Sequence, residues 1–347
     1  MDTVKVLIWG FGAMGKGIAE MILSKKGFEI VGVCDNHPKL VGFKFTDFIN
    51  TEYFKNHTVI SKDIDEILVS KRIDIAIIAT DSFTRNSYDK IVKLVENGVN
   101  VISTAEEMSF PEAHEPDLAK MIDNIAKENK VSVLGTGINP GFVMDLLAIA
   151  LTGTMRDVNK ITCKRVNSLS PFGPTVMEEQ GVGISLESFQ NKIENHDLAG
   201  HVGFKESVYM ISKALGVKLT EFKQQMEPII TNVDRVSLYG SAKKGHLAGI
   251  NMTAQGLINK EVFIDMKHPQ QIEPNAENID TGDYITIEGI PRINMSISPE
   301  IDGGIGTIAM CVNMIPHVIN ARPGLKTMLD LPIPRAILGD VRHMIDR

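Results

Sequence analysis

Residues 4–17 read as an apolar strand, Val-Lys-Val-Leu-Ile-Trp, that runs straight into Gly10-Phe11-Gly12-Ala13-Met14-Gly15, and a helical pattern (Ile18, Ala19, Met21, Ile22, Leu23) follows at once. A strand, a GxGxxG turn and a helix at this spacing leave little choice of local fold. Gly10 permits the tight turn, Gly12 lets a phosphate approach the backbone, and Gly15 lets helix and strand pack closely. The helix N-terminus then presents unpaired N–H groups and a positive dipole end to an anion. A second strand, Glu29-Ile-Val-Gly-Val-Cys-Asp35, ends in an acid 20 residues after Gly15. An acid at that place accepts hydrogen bonds from an adenosine ribose.

The pattern continues as alternating strand and helix. Ile60–Ser61 starts a short strand before a helix over 63–69, and Asp74-Ile-Ala-Ile-Ile-Ala-Thr80 reads as a strand buried on both faces. A helix over 84–97 stops at Gly98, a strand spans 100–104, a helix spans 116–128, and a sixth strand spans 131–135. Six wound parallel strands make a complete Rossmann-type, doubly wound α/β sheet. Beyond Gly135-Thr-Gly-Ile-Asn-Pro-Gly141 the pattern turns α+β. Segments at 161–167, 233–238, 245–255, 261–266, 283–288 and 292–297 alternate with period two, as in an open, mostly antiparallel sheet. We therefore expect a dinucleotide-binding domain over 1–138 and an α+β substrate and dimerisation domain over 139–304. A C-terminal helical segment, 305–347, is expected to return to the first domain.

Composition narrows the function. A net charge of −7 with scattered Lys and Arg argues against a nucleic-acid surface. No stretch approaches the ~20 apolar residues that span a bilayer, and no signal peptide is expected. Cys34, Cys163 and Cys311 are isolated, which suits a reducing cytoplasm and argues against a disulfide framework. No metal-ligand motif is present, so no metal is expected.

Three strand-end loops offer small and polar residues where a nicotinamide would lie: Thr80-Asp81-Ser82, Ser103-Thr104-Ala105-Glu106 and the loop holding Asn139. With Gly10, Phe11, Gly12, Ala13, Met14, Gly15 and Asp35, the residues Thr80, Asp81, Ser82, Thr104, Ala105 and Asn139 form the candidate cofactor set. Asp35 repels a 2′-phosphate and favours NAD. His37 and Lys39 follow closely and can shield one, so NADP stays open. In the second domain, Glu178-Glu179-Gln180-Gly-Val-Gly183 reads as a loop before a helix capped by Ser185, and His196 and His201 flank Gly200. Arg165, Arg235 and Arg292 lie on or beside strands; each suits a substrate carboxylate or a surface ion pair.

The GxGxMG turn, the Thr80–Thr84, Ser103–Glu106 and Asn139–Phe142 loops resemble the dihydrodipicolinate reductase-like superfamily. Its catalytic His-His-x-x-Lys and Pro-Ser-Gly-Thr stretches are absent, so dihydrodipicolinate is not the expected substrate. Over the full length, Val-Leu-Ile-Trp-Gly-Phe-Gly-Ala-Met-Gly, Asn100-Val-Ile-Ser-Thr-Ala-Glu-Glu-Met, Thr136-Gly-Ile-Asn-Pro-Gly-Phe and Gln180-Gly-Val-Gly are similar to the 2,4-diaminopentanoate dehydrogenase family of clostridial ornithine fermentation. The resemblance implies NAD(P)-dependent oxidative deamination of the 4-amino group, giving 2-amino-4-oxopentanoate and ammonia. Such a reaction needs the amine deprotonated. His201 is the first candidate base, with an ordinary pKa of roughly 6.5, and Glu179 the second. An imine or enamine reductase of the same superfamily is the alternative, and a non-catalytic NAD(H) sensor is the alternative of another class. A homodimer is expected, with Tyr284–Ile287 and Ile293–Ile297 as its surface.

Overall fold

The computed structural model describes residues 2–50, 56–195, 197–198 and 200–346, so His196 lies outside the described residues. The chain forms two compact units, Met1–Phe142 with Asp302–Arg347, and Val143–Ile301. The first unit opens with β1 (Val4–Trp9), α1 (Ala13–Leu23), β2 (Phe28–Cys34), β3 (Ile60–Ser61) and α2 (Ile64–Ser70). It continues with β4 (Ile75–Ile78), α3 (Thr84–Glu96), β5 (Asn100–Ser103), α4 (Pro116–Glu128) and β6 (Ser132–Gly135). Every residue of β4 and β6 is buried, as a parallel strand covered on both faces must be. The helix ends follow local chemistry. Asp63 accepts the amide protons of Asp65 and Glu66 ahead of α2, Pro116 starts α4, and Gly98 (φ +72°) ends α3 in the left-handed region. The N-terminus of α3 is served from another element: Thr84 N donates to Glu107 Oε2 at 2.8 Å.

The second unit contains α5 (Leu146–Thr152), β7 (Asp157–Ser168), α6 (Pro174–Glu179), α7 (Leu186–Glu194) and α8 (Phe204–Ala214). Then come β8 (Glu221–Ile230), β9 (Arg235–Val236), β10 (Ser241–Ala242), β11 (Leu247–Ile258), β12 (Glu261–Gln271), β13 (Gly282–Ile290) and β14 (Ile293–Ile297). Its six-stranded sheet runs β14-β13-β7-β12-β11-β8. The pairs are antiparallel except β12 with β7, which is parallel. The expected strand over 233–238 shrinks to β9, and the first two residues of the expected loop at 178–183 end the helix α6. Edge strand β8 escaped the reading because Gln and charged residues dilute its alternation and Pro228 interrupts it.

The chain then rejoins the first unit through α9 (Gly303–Ile319) and β15 (Gly324–Lys326). Asp302 caps α9 by accepting from Ile305 N at 2.7 Å. The helix lies so close to α1 and to the loop after β6 that an added Cβ on Gly17 would meet Ile308 at 2.3 Å, and one on Gly306 would meet Ile138 at 2.9 Å. Strand β15 pairs parallel with β6. The completed sheet is β15-β6-β5-β4-β1-β2-β3, the Rossmann order with a seventh strand at its edge. Among the described residues no helix is long and apolar enough to cross a membrane.

Candidate functional site

The three glycines of the first turn differ in what holds them. Gly10 has φ +97°, and a Cβ there would lie 2.5 Å from Ala79 O. A Cβ on Gly15 would lie 2.0 Å from Gly10 O. The fold itself thus requires both. A Cβ on Gly12 would meet nothing within 4 Å. That open space sits at the N-cap of α1, whose first turn carries no acid and no side-chain cap. An uncapped helix N-terminus beside a side-chain-free cradle suits an anion, so the residues present fit the pyrophosphate of a dinucleotide.

A cavity of about 540 Å³ opens at this turn. Gly10, Gly12, Asp35, Thr80 and Asp81 line it, together with Trp9, Cys34, Asn36, Lys62, Ala79 and Lys90. Asp35 is half-buried, and its oxygens accept from Phe11 N (2.6 Å) and His37 N (2.7 Å). Each oxygen has a second lone-pair direction for a ribose hydroxyl. The neighbouring Cys34 thiol is no nucleophile: burial, and then the carboxylates of Asp35 and Asp63, push its pKa up to about 12. Burial raises the Asp81 carboxyl, but its hydrogen bond and charge contact with Lys90 (2.6 Å) outweigh that and hold it below its ordinary value.

The remaining cofactor candidates do not line this cavity. The Phe11 ring is buried edge-on against Phe45 with centroids 5.9 Å apart, so only its backbone serves the turn. Gly15 is buried, Ala13 is exposed and Met14 half-buried. The Ser82 carbonyl accepts from Glu107 N at 3.1 Å, and Thr104 N donates to Ile78 O at 3.0 Å. Ala105 is buried with its N–H on Ser103 Oγ, and Asn139 is half-buried. His37 and Lys39 are exposed and outside the lining, whereas Lys62 is part of it. The parallel pairing of Cys34 with Ser61 carries Asp35 and Lys62 past adjacent strand ends. Drawing that pairing from the sequence would have found Lys62.

Of the three candidate arginines, Arg165 and Arg235 are buried rather than paired at the surface. Arg165 is 2% exposed, donates to Asp283 Oδ1 at 2.6 Å and also holds the Ile301 carbonyl. Burial raises the Asp283 carboxyl against the lowering pull of Arg165. Arg235, also buried, ties Thr231, Gln271, Ile272 and Glu277 together and is a structural clip. Arg292 is exposed.

Glu179 ends α6 and is exposed. His201 is half-buried, its ring edge-on to His268 at 4.6 Å and Phe204 at 5.1 Å. Desolvation, and then the charge of Arg165, push its pKa down to about 3. The expected value of roughly 6.5 does not hold, because that value belongs to a hydrated imidazole. His268 is lowered as well, by desolvation first and then by His201 and Arg165. Both rings are neutral at physiological pH. His268 Nε2 lies 2.9 Å from Asn167 Oδ1.

Two further side chains here were given no role from the sequence. Gln180 Nε2 donates to Gly200 O at 3.1 Å, yet Gln180 Oε1 and Gln270 Nε2 are buried with no hydrogen-bond partner among the described residues. A buried polar atom left unpaired costs about 1–3 kcal/mol.

Comparison with known proteins agrees with this geometry. Residues 142–347 match the family model for the 2,4-diaminopentanoate dehydrogenase C-terminal domain, and residues 4–134 match that of the oxidoreductase family with an NAD-binding Rossmann fold. The 2,4-diaminopentanoate dehydrogenase of Acetoanaerobium sticklandii is 56% identical over 346 residues, covering 99% of this chain and 98% of that one. An amine dehydrogenase of Streptomyces virginiae is 22% identical, covering 96% of this chain and 98% of that one. In fold, the chain is similar to the amine dehydrogenase of Mycobacterium smegmatis, with TM-score 0.85, 24% identity, and coverage of 97% of this chain and 98% of that one. With a Rossmann unit that suits a dinucleotide and a match over its whole length, the chain belongs to the 2,4-diaminopentanoate dehydrogenase family and is an NAD(P)-dependent oxidoreductase acting on CH–NH2 groups.

Proposed function

We propose that this protein oxidatively deaminates 2,4-diaminopentanoate at C4. Water is consumed, and 2-amino-4-oxopentanoate, ammonia and the reduced cofactor are released, as a step of ornithine fermentation. The 56% identity over the full chain carries this reading. The bound dinucleotide supplies the hydride acceptor. Gly12 and the α1 N-terminus would hold its pyrophosphate, and Asp35 its ribose. Asp81 is kept ionised and oriented by Lys90. NAD is the favoured cofactor because of Asp35, while Lys62 in the same cavity gives a 2′-phosphate a counter-charge.

The amine has an ordinary pKa near 10 and must lose a proton before its carbon can give up hydride. A ring with a pKa of about 3 holds a proton poorly, so His201 serves as a neutral hydrogen-bonding wall. The proton-accepting role passes to Glu179. Glu179→Gln should lower kcat by ~10²-fold or more with cofactor affinity unchanged; near wild-type kcat excludes it.

The protein acts as a homodimer in the cytoplasm. Three buried, unpaired cysteines suit a reducing compartment. Of the apolar members of the expected dimer surface, Ile285 and Ile287 are buried within their own unit, while Ile293, Met295 and Ile297 are half-buried. The opposite face of β13 carries Tyr284 and Thr286. Any subunit contact through it is therefore mixed in polarity, and sedimentation showing only monomer at micromolar concentration contradicts the dimer.

The reaction is tested by following NADH formation and ammonia release from 2,4-diaminopentanoate with NAD+ and with NADP+. Both signals in equal amounts are expected. No turnover of the diamino acid, with NADH consumed by cyclic imines, would overturn the reading in favour of a reductase.

A further inference from the structure

One face of the second unit's sheet gathers an unusual polar row. Strand register sets Gln270 beside Asn167 and Asp283 beside Arg165, and side chains two apart share a face, so His268 joins them. All five are buried, at 1–7% exposure. Gly200 and His201 lie over the same face: a Cβ on Gly200 would meet Met252 Sδ at 2.5 Å and Ile250 Cδ1 at 3.3 Å. In register, Ile250 pairs with Gln270 and Met252 with His268. Gln180 reaches this segment by donating to the Gly200 carbonyl.

The row's charges cancel. Arg165 is matched by Asp283, and the two imidazoles are neutral. What is left over is one acceptor and one donor. Because the Gln180 NH2 is committed to Gly200 O, its Oε1 is fixed as an acceptor, at 5% exposure. Gln270, at 7% exposure, offers Nε2–H. A protein interior seldom keeps such atoms unpaired without a reason. One spare acceptor and one spare donor match a zwitterion, whose ammonium donates and whose carboxylate accepts. They match neither a simple amine nor a simple carboxylate, each of which would use only one of the two and bring a lone charge into a desolvated place.

We infer that Gln180 and Gln270 form a subsite for the 2-amino-carboxylate head of the substrate, Gln180 Oε1 accepting from the ammonium and Gln270 Nε2 donating to the carboxylate. The inference deepens the proposed diamino acid reading and rests on it for the choice of substrate.

The test is calorimetric titration of the full-length chain, saturated with NADH, with 2-aminopentanoate, pentanoate and pentan-2-amine. The wild type should bind 2-aminopentanoate at least about tenfold tighter than either truncated analogue, since each good polar pairing contributes about a factor of ten. Gln180→Leu and Gln270→Leu should each lose about tenfold in that affinity, and Gln270→Glu should lose more, because it faces the carboxylate with another. NADH affinity should stay unchanged in all three. Gln270→Met, close in volume, serves if the leucine variant does not fold. If the orphan atoms are merely hydrated, both leucine variants bind like wild type, and the subsite is wrong. It is equally wrong if pentanoate binds wild type as well as 2-aminopentanoate does. Turnover of 2,4-diaminopentanoate is a separate arm. Selective 2-aminopentanoate binding without that turnover upholds the subsite and sinks the reaction; wild-type turnover with unselective binding does the reverse.

Discussion

Asp35 accepts the Phe11 amide proton at 2.6 Å, so the acid at the end of β2 pins the glycine turn that follows β1. The same carboxylate caps its own turn through His37 N. One residue thereby shapes the turn and faces the cofactor cavity.

Asp35→Ala should therefore do two things. It leaves the Phe11 N–H without its acceptor, lowering stability by about 1–3 kcal/mol, and it shifts the kcat/KM ratio several-fold towards NADP by removing a ribose acceptor and a repulsive charge. Thermal unfolding and paired cofactor kinetics check both. Unchanged cofactor preference would mean that Asp35 does not face the ribose.

Gly12→Val and Gly15→Ala should separate binding from folding. The open space around Gly12 tolerates a side chain in the free protein, so Tm should move by only a few degrees while NADH binding falls beyond detection. At Gly15 a Cβ strikes Gly10 O at 2.0 Å, so even alanine should destabilise the fold by about 1–3 kcal/mol or more. Fluorescence titration of NADH beside thermal melts decides it; retained NADH affinity in Gly12→Val refutes the pyrophosphate assignment.

Glu107 caps α3 from the loop after β5. Glu107→Ala should cost about 0.5–2 kcal/mol, and Glu107→Gln, which keeps an acceptor, less. Denaturant unfolding of the two variants gives the ordering, and equal losses would show that the carboxylate's bond to Thr84 N is not the cause.

His201 links stability to pH. Its pKa is near 6.5 in the unfolded chain and about 3 when folded. Above pH 6.5 the ring is neutral in both states and its contribution is fully present. Below that, the unfolded chain binds a proton that the folded one refuses, so stability falls as pH drops towards 3, by at most ~1.4 kcal/mol per pH unit for one ring. His268 acts in the same direction. His201→Phe, which preserves the ring packing, should flatten this slope by one proton. An unaltered slope would show that the ring is hydrated in the folded protein.

Local patterns were readable wherever a segment's neighbours in sequence are also its neighbours in space. The strand–turn–helix at 4–23, the buried run of β4, and α4 with its opening proline all depend on residues within a few positions of one another, and the structure has them within a residue or two of where periodicity put them. Short edge elements resisted, since β15 has three residues and borrows its definition from β6. Lys62 needed the β2–β3 pairing before it meant anything.

By itself the sequence determined the fold class and the glycine turn, because backbone geometry and hydrophobic period are properties of short stretches. Tertiary structure decided the electrostatics. Arg165 meets a carboxylate 118 residues away. His201 loses its ordinary proton affinity only when folding strips it of water and sets Arg165 nearby. Gln180 and Gln270 became conspicuous only once burial removed water from them. Charge, hydration and hydrogen-bond satisfaction are set by what surrounds a group in space, and no local stretch of chain records that.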